Sequence, residues 1–143
     1  MKVLVMFLIL LAGCSSIYNE GSLFSFYERY LVDAKRDNIK LIYRDFFDDA
    51  LVADVDINNS FIIEQLLFKE NMKKIISHKE SLYKDYGCLT VNGVDNDGKP
   101  IAINVEFSNH EPKWLMKDVD ILLLDTKEDY SNTAVCPKEY VIH

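Results

Sequence analysis

Residues 88–107 read CLTVNGVDNDGKPIAINVEF, and the fold turns on them. Ile101, Ile103, Val105 and Phe107 alternate strictly with other residues, the period-2 signature of a strand with one buried face. Cys88-Leu89-Thr90-Val91 opens another such run just upstream. Between them lies Asp95-Asn96-Asp97-Gly98, a cluster of turn formers, so the two runs are predicted to fold back as an antiparallel hairpin. Asp95 and Asp97 are accordingly hairpin residues rather than cation ligands.

Outward from the hairpin, Asn109-His110-Glu111-Pro112-Lys113 makes a second turn and Trp114 to Leu124 a third strand. Beyond Asp125 the chain is polar, held only where Cys136, Val135 or Tyr140-Val141-Ile142 docks. Upstream the period changes to that of a helix. Leu23, Phe26, Tyr27, Tyr30, Leu31 and Ala34 form one apolar face, capped by Ser22 or by a Ser25/Glu28 box. Ile39, Ile42, Tyr43, Phe46 and Phe47 continue it past Asp37-Asn38, as a second helix or one bent helix. Asp48 to Asn59 is a short helical turn around Ala50–Ala53, then a loop. Asn59 or Ser60 caps a further helix bearing Ile62, Ile63, Leu66, Leu67, Met72, Ile75 and Ile76. Its lysines, Lys69, Lys73 and Lys74, gather toward its carboxyl end, where the helix dipole favours them. It is expected to fade between Ser77 and Lys84.

Helices followed by an antiparallel meander make an α+β domain over residues 22–125, with N-terminal helices packed on a curved, cone-like antiparallel sheet and a polar tail over 126–143. "SFYERYL" at residues 25–31 and "PKWLMKDVDIL" at residues 112–122 resemble the nuclear transport factor two-like superfamily, also called SnoaL-like or ketosteroid isomerase-like. Small bacterial lipoproteins of that superfamily often close with Trp-x-x-x-Asp-Val, matched here by Trp114, Asp118 and Val119. The resemblance implies a sheet wrapped on helices as a cone with an apolar pocket. The superfamily's isomerases use a buried aspartate base, but nothing here places an aspartate in such a pocket, so no catalytic residue is carried over.

The chain opens with Met1-Lys2 and an unbroken apolar run from Val3 to Leu11. That run suits a secretory signal and is too short to span a bilayer as a helix. Leu11-Ala12-Gly13-Cys14 resembles the lipobox of bacterial lipoproteins. The resemblance implies that residues 1–13 are removed, that Cys14 is acylated, and that residues 14–21 tether the domain to the lipid bilayer. Several acyl chains, at about 0.8 kcal/mol per buried methylene, make a stable anchor. Ser15 in place of aspartate resembles the pattern of lipoproteins sent to the outer membrane, facing the periplasm.

About 130 residues remain after the cut, enough for one core. The full chain holds 16 Lys+Arg against 23 Asp+Glu, a formal charge of −7. Such a surface repels phosphate backbones and excludes nucleic acid as a natural partner. It attracts a basic protein partner through steering, or serves solubility alone. Cys88 and Cys136 are an even pair in an oxidising compartment and are expected to bridge, the alternative being two unpaired thiols. Such a bridge closes a loop of about 50 residues, for which chain entropy gives about 4 kcal/mol at most.

Catalytic and metal signals are poor. Asp54-Val55-Asp56-Ile57-Asn58 starts like a calcium loop, but Asn59 and Gln65 stand where glycine and a bidentate glutamate are needed. His78, His110 and His143 lie far apart, without zinc-ligand spacing. His110 beside Glu111 reads as a solvated turn rather than an acid/base pair. No nucleophile elbow, phosphate loop or dinucleotide fingerprint occurs. No cofactor or metal is therefore expected. Tyr27, Tyr30, Tyr43, Phe46 and Trp114 are candidates to line a pocket or an interface, against the plainer expectation of core packing. The expectation is a non-enzymatic, membrane-tethered protein-binding module, one form being an immunity protein against a periplasmic toxin. The alternative is a binder of a small apolar ligand.

Overall fold

The computed structural model describes residues 21–137; Cys14, the leader and the last six residues, with Tyr140-Val141-Ile142 and His143, lie outside them. Ser22 accepts from the Ser25 N–H and starts helix α1 (Leu23–Asp33). The break at Asp37-Asn38 separates it from α2 (Ile39–Phe46), so the apolar face belongs to two helices. Asp48 caps the single turn α3 (Asp49–Val52), and Asn59 caps α4 (Ser60–Leu66). Asp56, in the acidic loop between them, accepts from the Asn58 N–H, as turn aspartates do.

Past Leu66 the expected helix ends. A 3₁₀ turn (Phe68–Asn71) leads into strand β1 (Lys74–Leu82). The apolar spacing through Met72, Ile75 and Ile76 mimics a helix, but pairing with the next strand prevails. Alternation is hidden because two helix-side positions of β1 are polar and exposed. Glu80 accepts from the Ser22 hydroxyl at 3.1 Å and the Phe24 N–H at 3.0 Å, and His78 stacks on Phe24. Lys74 is a strand residue, and Lys69 serves a different helix end. The Lys69 ammonium donates to the Leu31 carbonyl in the last turn of α1 at 2.6 Å, a place where a cation satisfies an orphan carbonyl.

Strands β2 (Tyr86–Val94), β3 (Pro100–His110) and β4 (Lys113–Leu123) complete one antiparallel sheet in the order β1-β2-β3-β4. The β2–β3 hairpin turns where expected. The Gly98 N–H donates to the Asp95 carbonyl. Gly98 takes φ +80°, the left-handed position that favours glycine. The helices cover one face of the sheet, so the domain is α+β, with Leu89, Val91, Ile103, Val105 and Phe107 facing them.

The other face is mostly polar, and the C-terminal segment covers it over β2. Cys136 forms a disulfide with Cys88, Cα–Cα 5.2 Å. The Val135 N–H donates to the Thr90 hydroxyl at 2.8 Å, and Asn92 donates to the Ser131 carbonyl at 3.2 Å. Thr90, Asn92 and Asn104 are thereby buried on the face away from the core.

Candidate functional site

The aromatic residues singled out by sequence do not converge on a cavity. Tyr27, Tyr30 and Phe46 are buried in one cluster with Phe26, Phe47 and Phe68. Tyr30 stacks on Phe68 at 4.9 Å. It donates its hydroxyl to the Leu66 carbonyl at 2.8 Å, which satisfies its polar tip. Burial pushes the Tyr27 and Tyr30 hydroxyls well above the usual phenol range. Tyr43 is half-buried and accepts from Arg44 Nε at 3.1 Å. Trp114 is half-buried against the edge of the core.

A cluster around Asp48 has no local signature in the sequence. The backbone bridge between Phe47 and Met116, with the Asp48 N–H donating to the Met116 carbonyl, sets the α2–α3 junction against β4. There Asp48 Oδ1 caps α3 through the Ala50 N–H, and Oδ2 accepts from the Ser108 hydroxyl and from His110 Nε2. Burial alone raises the Asp48 carboxyl. The Ser108, His110 and Ala50 hydrogen bonds and the His110 charge outweigh it and hold the group at about 2. Aspartate, histidine and serine meet here, yet not as a nucleophilic triad. Ser108 and His110 end on the same oxygen, and no hydrogen bond links them among the described residues, so the histidine is not placed to take the serine proton. The cluster clamps helix to sheet.

The concave apolar surface lies elsewhere. A half-open groove of about 450 Å³ runs between α3, α4 and β4. Val52, Val55, Ile62, Leu66, Val119 and Ile121 are among its apolar lining, with Glu64, Gln65 and Asn71 among its polar groups. A shallower hollow continues past Asn71 and Ile121 toward Leu123, Asp95 and Asp97. None of Tyr27, Tyr30, Tyr43, Phe46 or Trp114 lines either. The available signals were the apolar turn Ala50–Ala53 and the alternation Val119, Ile121, Leu123; neither says that one element leaves a gap beside the other. The chain matches no known family model, no curated protein and no solved structure.

Proposed function

We propose that this is a membrane-tethered lipoprotein of the bacterial envelope that acts as a non-enzymatic protein-binding module. The groove beside β4 is the observation that supports binding. It is apolar, half-open and of the size that ligand and interface pockets have. Leu123 in the adjoining hollow is 76% exposed and Phe61 on α4 is 61% exposed. Apolar surface thus faces outward on a protein whose full chain has formal charge −7, the kind of surface that marks an interaction site. The anchor rests on Leu11-Ala12-Gly13-Cys14, with the acylated Cys14 holding the domain at the outer membrane, facing the periplasm. An immunity protein that neutralises a basic periplasmic toxin is one form of this reading.

The groove's volume also supports a second reading, a carrier of a small apolar ligand, which is the function a cone pocket of the nuclear transport factor two-like kind would serve. Affinity purification of the lipidated chain from its native host, in mild detergent, separates the two. The expected result is a stoichiometric protein partner, with Cys14→Ala abolishing recovery of the chain from the membrane fraction. A preparation without partner but with an apolar molecule retained in native mass spectrometry selects the second reading. A preparation with neither removes both.

A further inference from the structure

Strand β4 is an edge of the sheet, and the phase of its hydrogen bonds decides what that edge offers. The Leu124 N–H donates to the Pro100 carbonyl at 3.0 Å, and the register runs unbroken from Ile101↔Leu123 to Glu106↔Asp118. Antiparallel pairs alternate between bonded and non-bonded. Leu122, Asp120 and Asp118 therefore bond to β3, whereas Val119, Ile121 and Leu123 turn their N–H and C=O groups to the open side. The Val119 N–H is met by Asp118 Oδ1 at 2.9 Å, as expected for a group with no ladder partner. The Phe47 bridge occupies the edge only at Met116. Among the described residues, no strand pairs with Lys117–Leu123 on that side.

The same three residues send their side chains to the helix face. Among the described residues, Val119 and Ile121 are the only strand residues in the main groove, and no residue of β3 reaches it. The groove is thus open beside the edge itself. A strand laid along β4 would find backbone partners and, on its inner side, apolar room next to Val52 and Val55. On its outer side it would meet Asp118 and Asp120. The neighbouring Lys117 is already paired with Glu106 at 3.2 Å. The opposite edge, β1, carries a bulge between Ile75 and Ser77 and bears Lys74 and Lys79, features that discourage added strands.

We propose that the Lys117–Leu123 edge of β4 is a strand-addition site for an extended segment of a basic partner protein, alternating apolar residues that enter the groove with lysine or arginine facing Asp118 and Asp120. The proposal rests on the protein-binding reading and specifies its mode. A second copy of this chain is the disfavoured occupant, because pairing two β4 edges brings Asp118 and Asp120 of both copies onto one face, where like charges repel. Backbone bonds give such docking its affinity, and the alternating pockets give it selectivity.

The test uses the full chain in detergent and an eight-residue capped peptide alternating valine and lysine. Expected are binding that weakens with salt and slowed amide exchange over residues 117–124. N-methylating the peptide at the backbone positions that face β4 should weaken binding roughly tenfold or more. Ile121→Pro should do the same, since it removes an outward N–H and no ladder bond, a place where an edge strand tolerates proline. D118N/D120N should weaken binding and flatten its salt dependence. Binding that survives N-methylation overturns the proposal without relying on any protein variant. So do unchanged exchange at 117–124 with peptide present, and a dimer in sedimentation. A partner recovered from the host that leaves 117–124 unprotected overturns strand addition alone and leaves the protein-binding reading standing.

Discussion

Asp48 and His110 stand 62 positions apart in the chain and 2.7 Å apart in space, Nε2 against Oδ2. The contact joins the cap of α3 to the end of β3, so a single carboxylate ties that helix to the sheet. Its hydrogen bonds outweigh its burial and hold it at about 2, from an ordinary 3.8. A carboxylate depressed in the folded state stabilises the fold above its unfolded value and loses that contribution as pH falls through the folded one. Asp48 thus contributes fully above about pH 4 and little below about pH 2. The His110 side chain is 56% exposed, so solvent screens part of the interaction. With that screening, a magnitude of about 1–2 kcal/mol is fair. Asp48→Asn keeps the cap and removes the charge. In urea unfolding it should lie below the wild type by that amount at pH 7, and the two curves should converge near pH 2. A gap that persists unchanged at pH 2 would show that the charge is not the cause.

Tyr30 supplies the one polar tip in the stacked aromatic cluster for which the Leu66 carbonyl is the acceptor. Tyr30→Phe preserves the ring packing and leaves that carbonyl without its donor. The expected loss is about 1 kcal/mol, read from the denaturant midpoint at constant slope. Tyr30→Ala removes the ring as well and should cost about 3–5 kcal/mol.

Gly93 is glycine because the backbone of β1 crosses close above it. A Cβ there would run into the Lys74 carbonyl oxygen and the Met72 thioether. Gly93→Ala should destabilise by about 1–3 kcal/mol, as overpacking does. Gly21→Ala is the control, since nothing lies within 4 Å of a Cβ at that site. Thermal melts of the two variants should separate clearly.

The Cys88–Cys136 bridge holds the C-terminal segment over Thr90 and Asn92 across a sequence separation of 48. Reduction, or replacing both cysteines with serine, should lower stability by about 2–4 kcal/mol. Residues 125–137 should also become the first site of limited proteolysis, because the bridge is their covalent tie to the sheet. Equal protease resistance in the oxidised and reduced chains would refute that role.

Local rules suffice for much of this molecule. Strict alternation at Ile101–Phe107 and the Asp95–Gly98 turn specify the hairpin, because side-chain direction and turn conformation depend on near neighbours. The caps at Ser22 and Asn59, each one of two candidates in the sequence, and the apolar face of α1 are legible for the same reason, whereas the Asp48 cap is not. The strand Lys74–Leu82 is not. Its helix-side positions hold the exposed His78 and Glu80, which meet Phe24 and Ser22, residues more than fifty positions away. Pairing with β2 outweighs a local spacing that imitates a helix.

The sites divide in the same way. An even pair of cysteines suggests a bridge, but Thr90, Asn92 and Ser131 meeting beneath it depend on which face of the sheet the tail crosses. The meeting of Asp48 with Ser108 and His110 depends on the Phe47–Met116 bridge, a contact between distant segments. Of the aromatic residues that suggest a pocket, Tyr27, Tyr30 and Phe46 fill the core, and Tyr43 and Trp114 pack at its edge. The groove opens instead where β4 ends the sheet and the short α3 and α4 leave Val119 and Ile121 half-covered. Composition and period set which residues are apolar and which way they alternate. Where a gap remains depends on how element lengths and edges meet in space, a sum over long-range contacts that no local window of residues contains.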